Sequence, residues 1–131
     1  MENCIFCKIV KGDIPCHLVW EDEKHLAFLS IHPIKDGHTL VIPKKHHPYT
    51  FEIPDLEYTE LWIAVKKVST LLKNSFHPKS GKIGSIVYGM DVDHSHIHLV
   101  PVDESGDLSF TNAKSATPEK LKEIQERIQN S

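Results

Sequence analysis

His94-Ser95-His96-Ile97-His98 places three imidazoles at alternate positions of one short segment. Neutral imidazole is a nucleophile and a metal ligand, and imidazolium is a donor and an acid, all near neutral pH. The chain holds ten histidines, and independent placement would produce an H-x-H-x-H about 0.06 times in a chain of this size. On an extended strand the three would face one side, about 6.5 to 7 Å from one to the next, with Ile97 and Leu99 facing the other. A polar face of solvated histidines is the bland alternative, and the apolar opposite face weighs against it. Cys4-x-x-Cys7 is the other conspicuous spacing. With Cys16 it makes an odd number of thiols, without the pattern of a disulfide framework.

The elements that must position these residues can be read from turns and periodicity. Ile5, Phe6 and Ile9 lie at helical spacing and stop at Gly12, which predicts a short opening helix over residues 4–10. Leu18-Val19-Trp20, His25 to Leu29 and His38 to Ile42 read as three consecutive antiparallel strands separated by turn residues. Tyr58, Leu61, Trp62, Val65, Val68, Leu71 and Leu72 follow a 3.6-residue period and predict a long helix over 55–74, with Pro54-Asp55 at its start. Ile83 to Tyr88 and Ser95 to Val102 read as two more strands. Thr117-Pro118-Glu119 is a cap, a proline and an acidic first turn ahead of Leu121, Ile124 and Ile128, so a C-terminal helix is expected over about 117–130. Grouped strands with one long helix between them point to an α+β fold with an antiparallel five-stranded sheet rather than a parallel βαβ arrangement.

Composition sets the outer bounds. The 131 residues, 40% hydrophobic and 25% charged, suit a single soluble domain over 1–131. No apolar run is long enough to span a bilayer, and Met1-Glu2-Asn3-Cys4 does not begin a secretory signal, so the cytoplasm is the expected compartment and a membrane is not an expected partner. A net charge of -3 gives no general attraction to polyanions and argues against a nucleic-acid-coating protein.

Five blocks in order, Cys4-Ile5-Phe6-Cys7-Lys8-Ile9, Gly12-Asp13-Ile14-Pro15, Leu26-Ala27-Phe28-Leu29, Gly37 to His46 (GHTLVIPKKH) and His94 to Pro101 (HSHIHLVP), resemble the histidine triad (HIT) superfamily, in particular its Hint-like nucleotide hydrolases. The resemblance covers most of the chain. It implies that His96 attacks the α-phosphorus of a nucleoside phosphate derivative and forms a covalent nucleotidyl-histidine, with His98 against the same phosphate. It also implies a structural Zn2+ on Cys4, Cys7, His46 and His94, a closed Cys2His2 set. A purine nucleotide would lie against Ile5, Phe6, Ile9, Phe28 and Ile31, with Ser30 and Asp91 near ribose and phosphate, and the protein would be a homodimer through the long helix and a sheet edge.

Two positions, Ser30 and Met90, depart from the family pattern. Asp is common where Ser30 stands and Gln where Met90 stands, while the place of Asp91 commonly holds a hydroxyl or an acid. Ser30 bonds a ribose hydroxyl more weakly than a carboxylate does, and Met90 cannot replace an amide donor. Two alternatives stay open at this stage: a zinc-dependent hydrolase using the histidine row as metal ligands, and a nucleotide-binding or scaffolding protein without efficient turnover. Cys4 and Cys7 could instead be small buried hydrophobes, and His46 and His94 phosphate-side groups. His17, His25, His32, His38, His47 and His77 read as surface or turn histidines, with His32 and His38 the two to watch. Lys44-Lys45 reads as a solvated strand end, with a phosphate-attracting pair as the alternative. Cys16 has no assigned partner.

Overall fold

A computed structural model describes residues 3–131. Leu18–Glu21 (β1), His25–Leu29 (β2) and Thr39–Pro43 (β3) form a meander, and Lys82–Ile86 (β4) and Ile97–Val102 (β5) complete the sheet in the order β1-β2-β3-β5-β4. Every pairing is antiparallel. The helices are Ile5–Lys11 (α1), Asp55–Phe76 (α2) and Pro118–Gln129 (α3). This is the expected α+β arrangement.

The three central strands are buried on both faces. Ala27, Leu29, Val41, Ile97 and Leu99 pack against α2 and α3 through Leu61, Val65, Val68, Leu72, Leu121 and Ile124. Leu26, Phe28, Leu40 and Ile42, one residue out of phase, pack against Phe6 of α1. Period-2 alternation therefore sorts two apolar sets rather than apolar from polar. His94, His96 and His98 lie on the α1 side, where Phe6 packs edge-on against His94 and His96.

Several boundaries differ from the sequence expectation. The fifth strand begins at Ile97, not Ser95, so His94 and His96 stand in the extended segment that enters it. The β3–β5 register, Leu40 opposite His98 and Val41 opposite Ile97, would bring Pro43 opposite Ser95. Proline has no N–H to offer a ladder, and the Ser95 N–H donates instead to the His47 carbonyl at 2.6 Å. Pro54 caps α2 without a side-chain bond, and Asp55 and Glu57 supply negative charge to its first turn. The helix runs past Asn74 to Phe76 and stops where His77 turns left-handed, φ 45°. Thr117 caps α3 as expected, its side chain accepting from the Lys120 N–H at 3.2 Å.

Two further features frame the site. Gly37 has φ +93°, and a Cβ there would lie 2.7 Å from the Phe76 ring, so the turn that delivers His38 has room only for glycine. Lys35, from the same turn, reaches Asp103 at 2.6 Å and Asp107 at 2.9 Å. That pairing holds the Asp107 carboxyl down to about 2, together with the backbone N–H groups of Glu104 and Asp103. It ties the segment after β5 back over the sheet, where Leu108 fills the space above Gly84. Among the described residues no helix is long and apolar enough to cross a membrane.

Candidate active site and metal site

Cys4 is the N-cap of α1, and its sulfur accepts the Cys7 N–H at 3.4 Å. One turn of helix thus sets both sulfurs on the side facing β5. His94 Nε2 donates to the Pro43 carbonyl at 2.8 Å. A carbonyl can only accept, so the proton of neutral His94 sits on Nε2 and the Nδ1 lone pair is free. That Nδ1 lies 3.3 Å from Cys4 Sγ and 3.5 Å from Cys7 Sγ, and His46 Nδ1 lies 3.3 Å from Cys7 Sγ. The four ligand atoms fall within 4.8 Å of one another. A tetrahedral zinc ion with ordinary Zn–S and Zn–N bonds separates sulfur from nitrogen by about 3.6 Å, so the donor set fits in both identity and spacing. The carbonyl behind His94 supplies the outer partner that fixes a ligating imidazole. Burial, reinforced by the neighbouring Cys4 sulfur, pushes the Cys7 thiol up, and burial pushes His94 down.

The other imidazoles are organised differently. His96 Nδ1 donates to the His94 carbonyl at 2.7 Å, which leaves its Nε2 with an unshared lone pair. The Ile34 N–H donates to His38 Nδ1 at 2.9 Å, so neutral His38 carries its proton on Nε2 and presents it to His98 Nδ1, also at 2.9 Å. His98 in turn must hold its proton on Nε2. The arrangement makes His96 a lone-pair donor and His98 a hydrogen-bond donor, side by side with ring centroids 5.1 Å apart. Burial holds His38 down to about 4, and burial with the neighbouring His38 and His96 holds His98 down to about 3. Both are therefore neutral at physiological pH.

His96 and His98 close one end of a cavity of about 400 Å³. Ile5, Phe6, Ile9, Phe28, Ser30, Ile31 and Asp91 all line it, so the structure brings every nucleotide-side residue named from the sequence to one place. Cys16, which lacked a partner, is part of the same wall, as are His32 and Leu40. Met90 is exposed and outside the lining. Ser30 Oγ accepts the His32 N–H at 3.2 Å, and Asp91 has φ 72°.

Some readings are corrected. His38 and His25 are not surface histidines: both are buried, His38 against His98 and His25 bonded to Asp22 at 2.9 Å. His38 is the residue that sequence reasoning left out of the site. Its place in the block Gly37-His38-Thr39 was visible, but its partner was not, because that depends on strand register. The Lys44-Lys45 reading as a strand end stands: Lys44 pairs with Glu21 at 2.7 Å and Lys45 with Glu57 at 3.6 Å, and neither lines the cavity. Among the described residues the clustered metal-capable set is Cys4, Cys7, His46 and His94, and it includes neither His96 nor His98.

Comparison with known proteins gives a consistent result. Residues 11–105 match the model of the HIT domain. The chain is 39% identical to Protein hit of Bacillus subtilis, covering 97% of this chain and 92% of that one. It is 38% identical to an adenosine 5′-monophosphoramidase of Schizosaccharomyces pombe, covering 96% of each. A zinc-bound histidine triad protein of Mycobacterium smegmatis superposes with a TM-score of 0.80 at 29% identity, covering 98% of this chain and 92% of that one. With a family model matched over most of the chain, relatives near 40% identical along nearly its whole length and the same fold, the chain belongs to the HIT family.

Proposed function

We propose that this protein hydrolyses nucleoside 5′-phosphoramidates through a covalent nucleotidyl-His96. The observation that carries the proposal is the pair of opposite tautomers: His96 held by the His94 carbonyl with Nε2 free, and His98 held by His38 with Nε2 protonated. A phosphate placed between them meets a nucleophile and a donor without any reorganisation of the protein. In the first step His96 Nε2 uses its lone pair to bond phosphorus. The P–N bond breaks, and the leaving nitrogen carries off that pair and takes one proton from solvent. In the second step water bonds phosphorus, the Nε2–P pair returns to His96, and one proton is released, giving nucleoside monophosphate. His98 Nε2–H stabilises charge on the phosphoryl oxygens in both steps. Ile5, Phe6, Ile9, Phe28 and Ile31 hold a purine base, Ser30 and Asp91 the ribose side. The S. pombe relative's description as an adenosine 5′-monophosphoramidase supports this choice of substrate class.

Zn2+ on Cys4, Cys7, His46 and His94 would serve as a closed cross-link between α1 and the segment entering β5. That role joins one wall of the base cavity to the backbone that holds the nucleophile, in a reducing compartment such as the cytoplasm where thiols persist. A second copy is proposed to pair through α2 and the edge strand β4, where Leu56 and Ile63 stand exposed; sedimentation velocity reads this directly.

The test is a panel of adenosine phosphoramidates and dinucleoside polyphosphates given to wild type and His96→Ala, with zinc content measured alongside. Wild type should accumulate an acid-labile nucleotide adduct on quenching, and His96→Ala should form none and lose at least about 1,000-fold in turnover. Full turnover by His96→Ala would overturn the mechanism. Nucleotide binding without turnover by wild type would favour a binding protein instead.

A further inference from the structure

One peptide decides how His96 stands. The carbonyl that accepts His96 Nδ1–H at 2.7 Å belongs to His94, and the other half of that peptide is the Ser95 N–H, which donates to the His47 carbonyl at 2.6 Å. Because a peptide is a rigid plane, whatever fixes its N–H also aims its C=O. The sheet does not do this: β5 begins at Ile97, and Pro43, across from Ser95, has no N–H to offer. The task falls to the segment between β3 and α2.

That segment has a second grip on the same residue. Ser95 Oγ and Thr50 Oγ1 share a hydrogen bond at 2.6 Å, and both residues are buried, 1% and 2% exposed. Among the described residues, each hydroxyl has the other as its only partner. A buried hydroxyl pair is a poor way to fill a core, since two apolar groups of the same shape would serve stability as well without the penalty of a missed bond. Thr50 opens the 3-10 turn Thr50–Glu52, and His47 Nε2 meets Glu57 at 3.0 Å in the first turn of α2, so the segment is itself anchored to the helix. Through it α2, on one face of the sheet, is connected to the nucleophile on the other.

We infer that Thr50 and Ser95 are positioning residues for the nucleophile: their hydroxyl pair sets the peptide between His94 and Ser95 so that its carbonyl holds His96 Nδ1–H and leaves Nε2 free for the cavity. This rests on the His96 reading above and adds two residues that neither line the cavity nor belong to the metal-capable set. Misplacing a reacting group by about 1 Å costs up to about 100-fold in rate. The effect belongs to formation of the adduct rather than to KM.

The experiment follows nucleotidyl-His96 formation from adenosine 5′-phosphoramidate in single turnover, together with Tm and the nitrogen NMR spectrum of His96. Wild type, Thr50→Val, Thr50→Ser and the double variant Thr50→Val/Ser95→Ala are compared at matched zinc content. Thr50→Val, which leaves the Ser95 hydroxyl unpaired, should lower both Tm and the rate, the rate by about tenfold, and Thr50→Ser should restore both. The double variant removes both hydroxyls, so Tm should recover while the rate stays low and His96 shows a mixture of tautomers in place of a single protonated Nδ1. A rate that recovers along with Tm in the double variant would mark the pair as merely structural and overturn the inference, as would one Nδ1–H tautomer in every variant. Absence of any adduct in wild type would overturn the nucleophile reading alone, since the nitrogen spectrum decides the positioning role without turnover.

Discussion

At the scale of single residues, the site works through which nitrogen of each imidazole carries the proton. Three histidines that look alike in sequence are given distinct identities by what stands behind them: the Pro43 carbonyl for His94, the His94 carbonyl for His96, and His38 for His98. His38 is therefore a positioning residue acting through His98. Replacing it by Ala should lower kcat about 10- to 100-fold, the usual cost of losing the outer partner of a functional imidazole, with a smaller change in KM. His38→Gln, whose amide N–H can still donate to His98 Nδ1, should recover much of the loss. The readout specific to position is the nitrogen NMR spectrum of His98, which should show a single protonated Nε2 in wild type and a tautomer mixture in His38→Ala. A sharp single tautomer in that variant would contradict the role. The sequence made the three central histidines and the Cys-x-x-Cys pair conspicuous through spacing alone. His38 was not conspicuous, because it reaches His98 only through a contact between distant parts of the chain.

Among the elements, α1 is short, seven residues, and its N-terminal cap is the Cys4 sulfur. A helix of that length is marginal unless something outside it supplies stability. The sheet supplies part through Phe6, and the Cys2His2 cluster supplies a second attachment. Metal removal should thus loosen α1 first: chelation is expected to lower Tm by several degrees and to raise amide exchange selectively over Ile5–Lys11. The raised Cys7 thiol adds a signature, since binding must release protons and apparent zinc affinity should climb with pH. A chelator with no effect on exchange in α1 would rule out the cross-link. Element types were legible wherever periodicity ran long, as in α2 with its buried Leu61, Val65, Val68 and Leu72. The start of β5 was less so, because it is set by proline at the facing position and not by any property of Ser95 itself.

For the molecule as a whole, neutral buried imidazoles make stability depend on pH. His38 and His98 are held down to about 4 and about 3, below the ordinary 6.5 that the unfolded chain has. Between those values the unfolded state binds protons that the folded state does not, so stability falls as pH drops below 6.5. Each imidazole adds a slope of at most about 1.4 kcal/mol per pH unit, and the decline levels off below the folded values. Urea unfolding from pH 7.5 to 4.5 should show a steepening loss that His98→Asn reduces. A flat profile through that window would mean that the pair protonates as freely folded as unfolded.

The metal-capable cluster joins positions 90 and 87 residues apart, Cys4 and Cys7 to His94. During synthesis both thiols leave the ribosome long before His94, the partner that joins them to the catalytic strand, exists. Through most of translation they stand as a reactive dithiol, open to stray metal and to oxidants, and the clasp that later joins the base wall to the nucleophile is among the last parts of the protein to close.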